Sequence, residues 1–272
     1  MPKSQDEDVL AGPPERDVPV PEVVLDLAAG RQASAVWLNE LGGLTFKVGS
    51  GSDCCYLKWT PAGSDLDLTG EAARMRWVRP FSRVPDVIDV GHDGKGSWLM
   101  TAPLPGQSAV SDPWKQQPEI AMRAIGMGLR HLHDHAPVDG CPFSWSAAER
   151  VTRARQRAED GRADPRAWHP THHELTIAEA LSIIDDAPPI DSLVVCQGDA
   201  CAPNTMIDEG RWSGHVDLGS LGVADRWADL AIATWSTEWN YGPGWERALL
   251  DAYGTDPDAE RTAYYRLLWD LT

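Results

Sequence analysis

The sequence predicts an α+β protein in two lobes, a small β-rich one followed by a larger, mainly helical one. Three observations predict it. Short strand-like runs broken by glycine turns fill most of the stretch from Ala35 to Thr101. Beyond it, apolar residues recur at spacings of three and four in one segment after another, the period of a helix with one buried face. Between the two lies a tight connector, Pro103-Leu104-Pro105-Gly106. The boundaries read as a flexible acidic and proline-rich arm over 1–22, a β-rich lobe over 23–102 and a helical lobe over 103–272.

Each element follows from its local pattern. "PPERDVPVPE" has too few apolar residues to order itself. "AVWLNELGGLTFKVG" reads as two strands around Gly42-Gly43, "GSGSD" as a turn and "CCYLKWT" as a third strand. Leu68, Ala72, Met75 and Val78 share a helix that begins near Thr69 and ends before Pro80, the one helix expected in the first lobe. "VPDVIDVGHDGKGSWLMTAPLPG" gives two further strands around a glycine-rich hairpin. In the second lobe, "PEIAMRAIGMGLRHLHDH" is a helix expected to bury Ile120, Ala124, Met127 and Leu132. Ser146 and Glu149 form a capping-box pattern at the start of the next helix. "TIAEALSIIDD" is another helix, short strands fall near 193–196 and 205–216, and three helical segments end the chain.

Composition narrows the function. Asp and Glu number 41 against 24 Lys and Arg, a net charge of −17. Such a chain repels nucleic acid and anionic membrane and would attract a polycationic small molecule, while solubility or adaptation to salt accounts for the acidity equally well. No apolar run reaches the ~18 residues of a membrane span, and the N-terminus lacks the pattern of a signal peptide. Five cysteines without paired CxxC spacing read as reduced thiols of a cytoplasmic protein. His131, His133 and His135 alternate near a helix end and so do not share a metal-binding face.

Phosphoryl transfer from ATP requires a base that orients a hydroxyl, ligands for Mg²⁺, a cation on the phosphates and a partner that positions that cation. Asp199 and Asn204 stand five residues apart in "CQGDACAPN", the separation of base and metal ligand in a kinase catalytic loop. Asp217 follows the strand-like "GHV", where a second metal carboxylate is expected. Upstream, Lys58 lies in the strand "YLKW" and Glu71 in the helix after it. A lone Asp-x4-Asn is often only an Asx-stabilised turn. The ordered set, spread over a β-rich half and then a helical half, carries the inference.

The stretch "VVCQGDACAPNTMIDEGRWSGHVDLGSLGVADRWADLAIAT", with "LPGQ", "RHLHDHAPVDGCPF" and "YYRLL", resembles the aminoglycoside 3'-phosphotransferases over nearly the whole chain after the arm. The resemblance implies a protein-kinase-like fold with ATP between the lobes, acting in the cytoplasm as a monomer or weak dimer. It implies that Asp199 is the catalytic aspartate and receives the sugar 3'-hydroxyl. Asn204 and Asp217 would hold Mg²⁺, and Lys58 would contact the α- and β-phosphates and pair with Glu71. Tyr56 would stack on adenine, whose edge would meet the Ala102 carbonyl and the Leu104 N–H. The loop from Asn39 to Thr45, with Gly42 and Gly43, would cover the phosphates. Asp270 and the terminal carboxylate of Thr272 would face the aminoglycoside.

The chain departs from the family at several positions. Gln197 replaces the histidine before Gly-Asp, and an amide there is expected to preserve a backbone hydrogen bond. Ser220 replaces an arginine of the substrate pocket, and Trp269 replaces an acid near the C-terminus. The loop Asp164–His169 is poorer in acid than in the relatives. These departures bear on the choice of drug rather than on the reaction. Two other readings stand beside it: a kinase-like enzyme for another small hydroxylated substrate (a macrolide, hygromycin, choline or homoserine), and an inactive kinase-like binding module.

Overall fold

A computed structural model describes Gly12, Pro14, residues 18–39 and residues 42–272. The chain divides into two compact units. One reaches Arg76 and resumes over Pro85–Pro103, and the other comprises Trp77–Val84 and Leu104–Thr272. Within the expected arm, Gly12 exchanges two backbone hydrogen bonds with Leu38, and most of the remainder lies outside the described residues.

The first unit is built on an antiparallel sheet in the order β1-β2-β3-β5-β4. Its strands are β1 (Ala33–Leu38), β2 (Leu44–Val48), β3 (Cys55–Pro61), β4 (Val87–His92) and β5 (Gly96–Thr101). Phe46, Val48, Cys55, Leu57 and Met100 form the core on one face of this sheet. Helix α1 (Glu22–Ala28) caps that face with the fully buried Val24 and Ala28. The sequence predicts a single helix in this lobe, and α1 is a second. It has no side-chain cap and only seven residues, too short to stand alone in water, so burial of Val24 and Ala28 on the sheet accounts for it. Helix α2 (Leu68–Val78) buries Leu68, Ala72, Met75 and Val78 as expected.

In the second unit, α3 (Asp112–Lys115) leads into α4 (Pro118–His135), followed by α5 (Ala147–Glu159) and α6 (Ile177–Ile184). Strand β7 (Leu193–Cys196) pairs antiparallel with β10 (Gly222–Asp225). Strands β6 (Gln107–Ser108), β8 (Thr205–Asp208) and β9 (Arg211–His215) form a second small sheet. The chain closes with α7 (Trp227–Tyr241), α8 (Glu246–Tyr253) and α9 (Ala259–Leu271). Ser146 caps α5 by accepting the Glu149 N–H, while the full reciprocal capping box lies at Thr176 and Glu179 on α6.

The buried face of α4 includes Ala124 and Leu132 as expected but differs from the expected one at Met127. Met127 is 56% exposed, and Met122, Ile125 and Leu129 are buried instead. Two glycines turn the helix. A Cβ on Gly126 would lie 2.6 Å from the Leu249 carbonyl oxygen, and one on Gly128 would meet the Trp212 ring. Where neighbours approach that closely, the packed face is set by absent side chains, which an apolar periodicity does not register.

Candidate active site

In the first unit, β3 alternates between core and opposite face. Cys55 and Leu57 are buried in the core, so Tyr56 and Lys58 share the other side. Thr45 on β2 stands directly opposite Lys58 in the ladder. The Lys58 ammonium lies 2.7 Å from the Glu71 carboxylate, with the lysine side chain 26% and the glutamate 5% exposed. The predicted pair is therefore formed. The turn before β2 is closed by Asn39, whose side-chain oxygen accepts the Gly43 N–H at 2.7 Å. Gly42 has a φ of 77°, a conformation that favours glycine. A Cβ on Gly43 would lie 2.7 Å from Leu66 and 2.8 Å from Asn39. Within the expected phosphate loop, Glu40 and Leu41 lie outside the described residues. The Ala102 N–H donates to the Asp86 carbonyl at 2.8 Å.

In the second unit, hydrogen bonds draw the other predicted residues into one set. The Asn204 side-chain N–H donates to the Asp199 carbonyl at 2.9 Å. The Val216 N–H donates to the Asn204 carbonyl at 3.0 Å. Gln197 joins the two segments: its Nε2 donates to the Asp217 carbonyl at 2.8 Å, and its Oε1 accepts the Asp199 N–H at 2.6 Å. The backbone bond expected of this amide is thus made. Asp217 has a φ of 59°, a left-handed conformation uncommon outside glycine.

Two residues that sequence reasoning gave no role hold this set. Asp229 of α7 is fully buried and accepts the N–H groups of Gln197 and Gly198. His133 of α4 sits between Asp229 and the Tyr253 hydroxyl. A carboxylate inside the otherwise apolar "WADLAIA" was the available signal, since a buried acid needs donors. His133, Cys196 and Asp229 gather their donor atoms within 4.8 Å of one another, but hydrogen bonds account for the arrangement. His131 and His135 instead stack on each other, with ring centroids 4.1 Å apart. Burial pushes the thiols of Cys196 and Cys201 well above their ordinary range, which keeps both protonated and unreactive.

The C-terminal residues are engaged within the unit. The Asp270 carboxylate accepts the His169 N–H at 3.0 Å and lies 2.6 Å from His172 Nδ1. The Thr272 hydroxyl oxygen lies 3.2 Å from a nitrogen of the buried Arg150 guanidinium. Burial lowers the pKa of that guanidinium to about 10. Among the described residues, no helix is long and apolar enough to cross a membrane.

Residues 40–265 match the model of APH, the phosphotransferase enzyme family. An aminoglycoside 3'-phosphotransferase of Streptomyces fradiae is 35% identical over 76% of this chain and 81% of its own length. A streptomycin 3''-kinase of Streptomyces griseus is 31% identical over 88% of this chain and 91% of its own. Among solved structures, aminoglycoside phosphotransferase APH(3'')-Id of Streptomyces rimosus, in complex with ADP and streptomycin, is similar with a TM-score of 0.70. It is 26% identical, over 84% of this chain and 90% of that one. With a lysine–glutamate pair in one unit, an Asp199–Asn204–Asp217 set in the other and a match over most of its length, the chain belongs to the phosphotransferase enzyme family.

Proposed function

We propose that this protein transfers the γ-phosphoryl group of ATP to the 3'-hydroxyl of an aminoglycoside antibiotic and thereby confers resistance in the cytoplasm. The observation that carries the reading is the hydrogen-bonded set around Asp199. Asn204 is bonded to its carbonyl, and Gln197 links its N–H to the Asp217 carbonyl. In this reading Asp199 accepts a hydrogen bond from the attacking hydroxyl and aims it along the line of displacement. Lys58, steadied by Glu71, holds the α- and β-phosphates, and Tyr56 stacks on adenine. Positioning and electrostatic stabilisation supply most of the acceleration.

The residues also suit Mg²⁺. The Asn204 N–H₂ is directed to the Asp199 carbonyl, which leaves the amide oxygen as the side chain's ligand atom. With the Asp217 carboxylate it makes a pair of hard oxygen donors, the number a protein commonly contributes when phosphates and water complete the shell. When bound, the ion would neutralise charge developing on the phosphates. The net charge of −17 favours a cationic substrate.

The deciding experiment is expression in a susceptible host. Resistance should rise toward aminoglycosides that carry a 3'-hydroxyl and not toward their 3'-deoxy counterparts. Equal sensitivity to both classes, with no ATP turnover on any of them, would end this reading. One observation favours a second acceptor. The streptomycin 3''-kinase matches a larger share of this chain, 88%, than the 76% matched by the 3'-phosphotransferase of S. fradiae. Ser220 and Trp269 also depart from the 3' pattern. Streptomycin in the same panel separates the two.

A further inference from the structure

Position 197 carries an amide whose surroundings present three partners at once. Gln197 Nε2 donates to the carbonyls of Val216 at 3.1 Å and Asp217 at 2.8 Å, while Oε1 accepts the Asp199 N–H at 2.6 Å. Carbonyls only accept and an N–H only donates, so the partners themselves fix the orientation of the amide. The residue is fully buried, and Asp229 holds its backbone N–H at 2.6 Å. A neutral imidazole has one donor and one acceptor. It would serve the Asp199 N–H and one carbonyl and leave the other without a donor.

We propose that Gln197 is a positioning residue for phosphoryl transfer, a three-point bracket that keeps the Asp199 backbone in register with Val216 and Asp217. In this chain a histidine at this position would be the poorer residue. The inference rests on the function proposed above, because the carboxylates so bracketed are those assigned to the reaction. The left-handed backbone of Asp217 gives the bracket a purpose. A non-glycine residue persists there only when its surroundings hold it, and the bond to its carbonyl is one such constraint.

The test uses the full chain with Gln197→His, Gln197→Glu and Gln197→Ala. It measures kcat, KM for ATP and for the aminoglycoside, thermal unfolding, and hydrogen exchange at the Asp199 amide. Gln197→Glu keeps the shape and the acceptor but sets an anionic oxygen against two carbonyls. Its kcat should fall roughly 100-fold and that of Gln197→His roughly 10-fold, with each KM within about threefold of wild type. Asp199 exchange should quicken about tenfold or more in Gln197→Ala and stay slow in Gln197→His. Wild-type kcat in Gln197→His, or losses that appear in KM alone, would overturn the proposal. Should Gln197→Glu fail to fold, Gln197→His decides, since its ring is neutral and keeps one donor and one acceptor. The exchange measurement needs no substrate. A wild type inactive on every aminoglycoside therefore refutes the functional reading, and unchanged Asp199 exchange in Gln197→Ala refutes the bracket itself.

Discussion

The Asp229 carboxylate accepts the backbone N–H of Gln197 at 2.6 Å, and its other oxygen accepts that of Gly198 at 2.9 Å. One side chain of α7 thereby holds the strand end that leads into Asp199. Removing the carboxylate would leave two buried N–H groups without an acceptor, each costing about 1–3 kcal/mol. Asp229→Ala should lower the melting temperature by roughly 5–15 °C. Asp229→Asn should lower it less, since one oxygen remains to accept. Thermal unfolding followed by circular dichroism measures both. An Asp229→Ala protein as stable as wild type would show that the contact does not hold the loop.

Gly198 has a φ of 89°, and a Cβ there would collide with the Ser220 backbone carbonyl. Gly198→Ala therefore combines backbone strain with a clash against main chain that cannot rotate away. It should cost several kcal/mol, about 3 or more, and abolish most activity. Gly161 is the control. Its φ is 70°, but nothing lies within 4 Å of where a Cβ would stand. Gly161→Ala should cost only about 1 kcal/mol. Chemical denaturation of the two variants side by side tests the difference.

The lobes and most elements were legible because their signals are local. Strand alternation, helical spacing, the cap at Ser146 and the helix stop before Pro80 all lie within a dozen residues. Helix α1 and strand β10 were not, because tertiary contacts make them: α1 through Val24 and Ala28 on the sheet, and β10 through its pairing with β7. The site divides in the same way. The grouping of Asp199, Asn204 and Asp217 was legible because the proposed chemistry would fix their spacing. Asp229 and His133 act through buried hydrogen bonds about 30 and 96 residues distant in sequence, and no local spacing encodes those.

Lys58 and Glu71 are 2.7 Å apart, and Glu71 acts on the nucleotide only by orienting the lysine in the proposed mechanism. Lys58→Met should lower kcat/KM for ATP roughly 100-fold and Glu71→Gln roughly 10-fold. The double variant should be no worse than Lys58→Met alone, because the glutamate's effect passes through the lysine. Fully additive losses in steady-state kinetics would show that Glu71 has a separate role.

His131 and His169 are held below the ordinary histidine pKa, chiefly because burial disfavours the charged ring. In the unfolded chain each titrates near ~6.5. Below that value the unfolded state binds more protons than the folded state, so stability rises with pH through this window and falls as the medium is acidified. The melting temperature should drop between about pH 7.5 and about pH 5.5. His131→Asn should flatten part of the slope. A slope unchanged by that substitution would assign the acid sensitivity to other groups.

Asp270 was expected to meet the aminoglycoside, yet its carboxylate already binds the His169 N–H and His172, with the side chain 9% exposed. Its influence on a drug should therefore pass through the segment it anchors. Beside that segment, the His169 ring lies 4.4 Å from Trp235, which packs 5.1 Å from Trp239. Trp239 is 46% exposed. It lies three residues beyond Ser236, whose hydroxyl accepts the Ala202 N–H of the catalytic loop at 2.9 Å, so it occupies the same side of α7. An exposed indole there offers a face to a cationic sugar. Trp239→Ala should raise KM for the drug roughly 3- to 10-fold, with the melting temperature within about 2 °C of wild type. Asp270→Ala should do the reverse, lowering the melting temperature by about 3 °C or more while KM rises less than about threefold. A tenfold rise in KM for Asp270→Ala at unchanged stability would instead mean that the carboxylate leaves its histidines to bind the drug directly.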